Sequence, residues 1–364
     1  MSKLKIGVIG CGGIANAKHM PAQKNNPDAK LVAFCDIIEE RAQKAAKDFG
    51  GKSAKVFTDY RELLKEGEVD AVLVCTPNCS HCEITVAALN AGKHVLCEKP
   101  MAVSYEEAQQ MIAARDKAKK VLTIGYQNRY RPDVLYLKGL ADEDYFGEIY
   151  YAEANALRRR GVPTWGVFID EAKQGGGPLI DIGTHALDLT LFLMNNYQPA
   201  YCVGRTFHKL NKQTATGNAW GDWDPERFTA EDAAFGFVVM KNGAVIYVRS
   251  SWALNEANPR EACATLCGEK AGAEILDASG TALKLNGVMG GRQVLTTPDL
   301  NAGAVPFFEG TAGGDPSFLE AKTFTDAALG KGKLWVTADQ AAVVTRILEG
   351  IYRSHKTEKP VYFD

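Results

Sequence analysis

The first 125 residues alternate short apolar runs with segments of helical spacing, and this alternation limits the folds open to the chain. Each run is rich in Val, Ile or Leu, as expected for strands of a parallel sheet that are buried on both faces. Helical patterns between the runs include Glu39–Phe49 and a helix that a capping box at Ser104 and Glu107 begins. The alternation predicts βαβ units in a doubly wound α/β domain. The predicted strands are Lys5–Ile9, Leu31–Asp36, Ala71–Thr76, His94–Glu98 and Val121–Gly125.

After Arg131 and Pro132 the pattern changes, and two apolar runs flank Asn242 and Gly243, a pair that is typical of a hairpin turn. We expect two domains: residues 1–125 form the doubly wound α/β domain, and residues 126–364 form an α+β domain with a mostly antiparallel open sheet. The open face of that sheet is a candidate surface for a homodimer or homotetramer. The second domain is predicted to contain strands Glu148–Leu157, Phe235–Met240, Ala244–Ser251, Ala262–Cys267, Thr281–Leu285 and Val361–Phe363, and helices Leu179–Met194 and Val336–Tyr352.

Charge and composition exclude several classes of partner. The net charge is −2 and no block of five like charges occurs, so nucleic acid and membrane surfaces are not expected partners. No stretch approaches the roughly 20 apolar residues that span a bilayer, and no signal-peptide pattern is present, so we expect a cytoplasmic protein. Cys75, Cys79, His81 and Cys82 lie close in sequence, but no second ligand pair follows at finger-like spacing. We therefore expect no metal.

A glycine-rich turn follows the first predicted strand and comprises Gly10, Gly12, Gly13 and Ile14. Gly10 permits the tight turn, and Gly12 lets the backbone approach a pyrophosphate at the start of the next helix. The second strand ends at Asp36, whose carboxylate can accept the ribose hydroxyls of an adenosine and repels a 2′-phosphate. No Arg or Lys directly follows Asp36, so the sequence predicts NAD rather than NADP. The alternative is that Asp36 only caps the following helix.

Three further residues are candidates for proton transfer. Lys99 follows a predicted strand of the first domain, and ligands in open α/β sheets bind outside the carboxyl ends of the strands. Asp181 and His185 are four residues apart in a predicted helix, where such residues share a face. Taken alone, a single Lys at the end of a strand is better explained as a solvated surface charge. The alternative for the pair is that Asp181 is an acid favoured by the dipole at a helix start and is bonded to a core His185.

The chain resembles the glucose–fructose oxidoreductase and inositol dehydrogenase (Gfo/Idh/MocA) family of sugar and polyol dehydrogenases. The resemblance covers nearly the whole chain and implies a Rossmann domain followed by the α+β domain. It rests on the residues Gly7 to Gly12, Thr76-Pro77-Asn78, His81, Ala91 to Pro100, Gly125 to Arg129, and the Gly176-Gly177, Asp181, Gly183 and His185 pattern.

The resemblance implies a role for each of the three candidates. His185 would take the proton of the substrate hydroxyl, since an unperturbed imidazole has a pKa of about 6.5. Lys99 would hydrogen-bond the same oxygen, and Asp181 would orient His185 and bind a neighbouring hydroxyl. The positions that would line the nicotinamide half of the cofactor are Thr76, Asn78, His81, Glu98, Lys99 and Gln127, with Asn128 facing the substrate.

The segment that runs from Arg158 to Trp165 is the candidate for substrate recognition. A guanidinium donates to hydroxyls or a carboxylate, and an indole stacks on the apolar face of a sugar ring, so we expect Arg158 and Trp165 to contact substrate. The predicted function is an NAD-dependent oxidation of a cyclic polyol or sugar of the inositol, aldopyranose or anhydrosugar type. Two alternatives stay open: a redox-neutral NAD-dependent glycosidase of the same family, and an NAD-binding regulator without catalysis.

Overall fold

A computed structural model describes residues 3–214, 216–300 and 315–364. The chain divides into two compact units, Met1–Tyr130 with Gly314–Ala342, and Arg131–Gly313 with Val343–Asp364. Each unit is therefore built from two separate stretches of sequence. The predicted domains, by contrast, meet at a single boundary after residue 125.

The described part of the first unit contains a six-stranded parallel sheet. The strand order is β3-β2-β1-β4-β5-β6, so the order reverses between β1 and β4, where doubly wound folds bind their ligands. The five predicted strands are confirmed, with ends that differ by two residues at most, whereas the short β3 was not predicted. The strands are β1 (Leu4–Ile9), β2 (Ala29–Cys35), β3 (Lys55–Phe57), β4 (Ala71–Val74), β5 (His94–Cys97) and β6 (Leu122–Ile124).

Helices pack against both faces of this sheet and bury its Val, Leu and Phe side chains. The predicted capping box at the start of α5 forms in part. Ser104 Oγ accepts the Glu107 backbone N–H at 3.2 Å, while the Glu107 carboxylate accepts the N–H of Val103 rather than that of Ser104. The helices are α1 (Met20–Lys24), α2 (Glu39–Phe49), α3 (Tyr60–Glu66), α4 (His81–Asn90) and α5 (Tyr105–Ala118).

The second unit contains nine strands among the described residues, in the order β14-β13-β12-β11-β7-β10-β9-β8-β15. Only β7 and β10 pair in parallel, so the expected mostly antiparallel sheet is confirmed. The strands are β7 (Ile149–Leu157), β8 (Pro199–Phe207), β9 (Ala233–Met240), β10 (Val245–Ser251), β11 (Cys263–Gly268), β12 (Ala271–Ile275), β13 (Leu283–Met289), β14 (Arg292–Thr296) and β15 (Val361–Tyr362).

The predicted hairpin at Asn242 and Gly243 joins β9 to β10. Gly243 has a φ of +88°, and its N–H donates to the Met240 carbonyl at 2.9 Å. The remaining helices are α6 (Pro132–Asp142), α7 (Glu171–Gln174), α8 (Thr184–Met194), α9 (Pro316–Ala328) and α10 (Ala338–Thr357); α9 belongs to the first unit. In the ranges 3–214, 216–300 and 315–364, no helix is both long and apolar enough to cross a bilayer.

The two faces of the second sheet differ. One face carries the fully buried alanines of β7 and packs on α8, and the close approach of α10 leaves room only for glycine at Gly204 and Gly236. On the other face, Val203, Phe237 and Tyr247 lie side by side on β8, β9 and β10, and all three are exposed. These three aligned apolar side chains form a row that is exposed to solvent in the isolated chain.

Candidate active site

The glycine-rich turn after β1 has the geometry that a bound dinucleotide requires. Gly10 has a φ of +91°, and a Cβ there would lie 2.6 Å from the Cys75 carbonyl oxygen, so only glycine fits. At Gly12 and Gly13 a Cβ would meet no atom within 4 Å, so the outer side of the turn is open. Ile14 is exposed beside them. The open backbone of this turn fits the close approach of a pyrophosphate.

Asp36 follows β2 and is buried against the same turn. Its Oδ2 accepts the Cys11 backbone N–H at 2.9 Å, and its Oδ1 accepts the Ile38 N–H at 2.9 Å. The second bond closes a local turn before α2; Ile38 is the N-cap residue of that helix and no side chain caps it, so the alternative role of Asp36 as the helix cap is wrong. A carboxylate offers about four lone-pair sites, so two remain for ribose hydroxyls. The residues present therefore fit the adenosine half of NAD.

His81 holds together two loops at the carboxyl edge of the first sheet. Its ring is fully buried, with Nδ1 2.8 Å from the Pro100 carbonyl oxygen and Nε2 2.9 Å from that of Thr76. Burial lowers the pKa of His81. A neutral imidazole has one N–H, so it donates to one of these two carbonyls and lies against the other, which sets the spacing between the segment after Lys99 and Thr76. Asn78 is buried in the turn that joins β4 to α4.

Glu98 lies in a buried ionic cluster that the sequence did not reveal. Its Oε1 is 3.1 Å from Lys18 Nζ and 2.6 Å from His19 Nε2, and Lys18 Nζ is also 2.8 Å from Glu320 of α9. Burial by itself raises the pKa of Glu98, but the charge of Lys18 and the bond and charge of His19 outweigh it and hold the pKa well below its usual range. Gln127 Oε1 accepts a hydrogen bond from Lys18 at 3.1 Å. Glu98 and Gln127 are thus both held by Lys18.

Lys99 is half-buried and directly follows this cluster. Its backbone N–H donates to Glu98 Oε2 at 3.1 Å, so the buried carboxylate fixes the main chain from which the Lys99 side chain extends. In the first unit, the structure thus links the glycine turn to Asp36, and Thr76, His81, Glu98 and Lys99 to one another.

Asp181 and His185 lie in the second unit, at the start of the predicted helix. The first turn, Leu179–Gly183, is π-helical rather than α-helical, and α8 begins at Thr184. Wide turns of this kind are frequent at functional sites. Asp181 is buried, and Trp252 donates its Nε1–H to Asp181 Oδ2 at 3.1 Å. His185 is half-buried in the first turn of α8. Trp252, just after β10, is therefore a positioning residue for Asp181.

Glu231 anchors the glycine loop that precedes Asp181. Its Oε2 accepts the Gly177 N–H at 2.6 Å, and its Oε1 accepts the Leu179 N–H at 3.1 Å and the Tyr352 hydroxyl at 2.8 Å. A Cβ at Gly177 would lie 2.2 Å from the Glu231 carbonyl oxygen. Burial raises the pKa of Glu231 to about 7, although these hydrogen bonds lower it. The loop is thus shaped around a buried carboxyl group.

The segment after β7 uses its arginines within the protein. Arg158 makes two bonds to the Glu261 carboxylate and a third, at 3.1 Å, to the Gly161 carbonyl oxygen. These bonds occupy three of the donors that the sequence analysis assigned to substrate. Trp165, by contrast, is 52% exposed. Asn128 is half-buried in the turn Gln127–Tyr130 of the first unit.

The described residues 3–214, 216–300 and 315–364 contain no group of three His, Cys, Asp or Glu side chains arranged to hold a metal ion.

Several known proteins resemble the chain, some of them over nearly its whole length. It is 33% identical over 357 residues to D-glucoside 3-dehydrogenase of Escherichia coli strain K12, a match that covers 98% of this chain and 96% of that protein. It is 38% identical over 199 residues to glucose-6-phosphate 3-dehydrogenase of Bacillus subtilis strain 168, covering 53% and 54%. The solved structure of an oxidoreductase domain protein from Kribbella flavida aligns over all of both chains with a TM-score of 0.87 at 24% identity, which shows a shared fold.

Two family models match successive parts of the chain. Residues 4–126 match a model described as an oxidoreductase family with an NAD-binding Rossmann fold, and residues 134–274 match the GFO/IDH/MocA C-terminal domain. The predictions of a Rossmann domain and of NAD as the cofactor are therefore confirmed. The chain belongs to the Gfo/Idh/MocA family of NAD-binding oxidoreductases.

Proposed function

We propose that the protein oxidises a ring hydroxyl of a glucopyranose-type sugar, at C3 of a glucoside, with NAD as the hydride acceptor. Two relatives named as 3-dehydrogenases of glucose derivatives support this assignment, and one of them matches 98% of the chain. The observation that carries the proposal is the fixing of Asp181. It is buried and hydrogen-bonded by Trp252, in the turn that leads into His185.

In the proposed reaction, three side chains act on the substrate hydroxyl or on its neighbour. His185 takes the proton, since a neutral imidazole is a base near neutral pH. Lys99 donates a hydrogen bond to the same oxygen and stabilises the negative charge that develops there. Asp181 orients His185 and accepts a bond from a neighbouring hydroxyl. Bound NAD supplies the acceptor for the hydride that leaves the carbinol carbon.

The contacts inside the first unit support a smaller set of proposed contacts to the nicotinamide half of NAD. We assign that contact to Thr76, Asn78 and Lys99. We assign His81, Glu98 and Gln127 to holding them in place, because these three side chains are committed to buried partners. Asn128 stays a proposed substrate contact.

We also propose that the protein forms a homo-oligomer through the exposed face of the second sheet. Val203, Phe237 and Tyr247 form an apolar row there, which a second copy of the chain would bury. Light scattering should give a dimer or tetramer for the wild type and a smaller species for Phe237→Lys. An unchanged mass for the variant would contradict this assignment.

The test of the activity is NADH formation with a panel of ring compounds. Purified protein with NAD⁺ should produce NADH absorbance with methyl β-D-glucoside, and His185→Gln and Lys99→Met should abolish turnover while NAD still binds. Oxidation of myo-inositol but of no glucose derivative would overturn the proposed substrate. Consumption of the glucoside without net NADH would indicate the redox-neutral glycosidase instead.

A further inference from the structure

The connection between β8 and β9, described over residues 208–214 and 216–232, is hydrogen-bonded to the segment that follows β7. The Asn218 side chain accepts the Val162 N–H at 2.8 Å and donates to the Val162 carbonyl oxygen at 3.0 Å. The Thr164 hydroxyl donates to the Trp220 carbonyl oxygen at 2.8 Å. These bonds on both sides of Ala219 hold the described part of this loop in one place.

The fastening brings two exposed indoles together. Trp165 is 52% exposed and Trp220 is 45% exposed, and their rings meet edge to face with centroids 5.1 Å apart. Trp223 and Trp252 of the same unit are buried, so exposure is not general for tryptophan in this unit. Exposed large aromatic surface next to polar groups marks a binding site more often than a scattered surface residue. Trp165 and Trp220 are called the indole pair below.

The indole pair lies at the same end of the second sheet as Asp181. Trp165 follows the carboxyl end of β7, and Trp220 lies in the connection between β8 and β9. The ends of β7, β8, β9 and β10 meet here, where Leu157 pairs with Ser251, Ser251 with Ala233, and Ala233 with Phe207. The Gly161 N–H donates to the Trp252 carbonyl oxygen at 2.8 Å, and the Trp252 side chain donates to Asp181. Arg158 contacts the indole pair, with its guanidinium carbon 5.3 Å from the Trp220 ring centroid. The pKa of Arg158 is raised: burial lowers it, but the bond and charge of Glu261, and then the charge of Asp181, outweigh burial. The Asp181 charge therefore acts on this guanidinium.

The chemistry of the pair favours a neutral ring. An indole face or edge packs on the C–H face of a pyranose or on an aryl ring. Arg158, the cation in contact with the Trp220 ring, is paired with Glu261 and bonded to a backbone carbonyl, so it offers no free fork to a phosphate or carboxylate. A charged substituent would therefore gain little there, whereas a flat neutral group would displace water from two apolar surfaces.

We propose that Trp220 and Trp165 form a subsite for the aglycone ring of a glycoside whose sugar ring is oxidised beside Asp181. The inference rests on the proposed function, because it assumes that the sugar ring binds beside Asp181. It extends that function by making the enzyme selective for glycosides with a ring aglycone over free sugars and methyl glycosides.

The experiment compares phenyl β-D-glucoside with methyl β-D-glucoside in the holoenzyme. The wild type should show a kcat/KM about tenfold higher for the phenyl glucoside, because an aromatic contact of this kind supplies that much binding energy. Trp220→Ala should remove most of that preference and change kcat/KM for the methyl glucoside less than threefold. Trp220→Phe, which keeps a flat ring, should retain most of the preference.

Tyr150→Ala is the matched control. Tyr150 is an exposed aromatic residue at the start of β7, seven residues and so roughly 23 Å along the strand from Leu157. This variant should leave kcat/KM unchanged for both glucosides. Equal kcat/KM values for the two glucosides in the wild type, or an equal loss for both in Trp220→Ala, would overturn the subsite while leaving the dehydrogenase intact.

A binding measurement separates this inference from the proposed function. Phenyl β-D-glucoside should quench tryptophan fluorescence in the NAD complex, and Trp220→Ala should weaken the measured affinity about tenfold. Binding that depends on Trp220 without any NADH formation would support the subsite and refute the oxidation. Oxidation with binding that does not depend on Trp220 would refute the subsite alone.

Discussion

Glu231→Gln gives a direct test of the loop anchor, because it removes the charge and keeps nearly the same shape. In the folded protein, burial raises the pKa of Glu231 from the ordinary value of 4.5 to about 7. The folded state therefore keeps the proton over a pH range in which the unfolded chain has lost it. The stabilisation from this proton is complete below pH 4.5 and is lost as the pH rises through about 7.

The difference between these two pKa values corresponds to about 3 kcal/mol, of which about 2.5 kcal/mol falls between pH 5 and pH 8. The amide of the variant is uncharged at every pH, and because its NH2 group cannot accept a hydrogen bond, it loses one acceptor at a cost that does not change with pH. Burial and the Glu231 charge raise the pKa of Tyr352 well above 10, so its hydroxyl remains a donor throughout. We therefore expect the difference in unfolding free energy between variant and wild type to shift in favour of the variant by about 2.5 kcal/mol from pH 5 to pH 8.

The assay is urea unfolding of both proteins at pH 5 and pH 8, followed by circular dichroism. Taking the variant minus wild-type difference at each pH cancels the other titrating groups. Glu226→Gln, an exposed position on the same segment, is the control and should show no pH-dependent difference. A Glu231→Gln difference that is the same at both pH values would refute the reasoning that Glu231 is held protonated by burial.

Three other substitutions test separate parts of the structure. Gly10→Ala would force a Cβ to within 2.6 Å of a carbonyl oxygen at a positive φ, so calorimetry should show NAD affinity at least tenfold weaker, while Gly51→Ala, with open space around it, should bind normally. Trp252→Phe removes a hydrogen bond to a carboxylate, worth about 1.5–3 kcal/mol, so kcat/KM should fall about 10- to 100-fold with NAD affinity unchanged. Lys18→Met leaves two buried carboxylates without their lysine and should cost about 3–5 kcal/mol in thermal unfolding.

The parts of the fold that the sequence revealed are those that depend on local pattern. The strands of the parallel sheet are continuous apolar runs, and the hairpin at Gly243 is specified by its own two turn residues, so neither needs distant contacts to be recognised. The glycine turn of the cofactor site is visible for the same reason.

The parts that the sequence did not reveal depend on tertiary contacts. Lys18 and Glu320 are 302 residues apart, and nothing near either one marks a buried ion pair. Glu231 and Trp252 gain their roles only because folding brings them to Gly177 and Asp181. The wide turn at Asp181 was also missed, because the apolar spacing of Leu179–Met194 fits an ordinary α-helix.

The most direct test of the central claim follows the hydrogen itself. Methyl β-D-glucoside carrying deuterium at C3 would be incubated with the protein and NAD⁺, and the NADH formed would be examined by mass spectrometry. Hydride transfer from C3 predicts one deuterium in each NADH, together with the 3-keto sugar in equal amount. Unlabelled NADH, or a keto sugar formed at another carbon, would contradict the claim that this chain oxidises glucosides at C3.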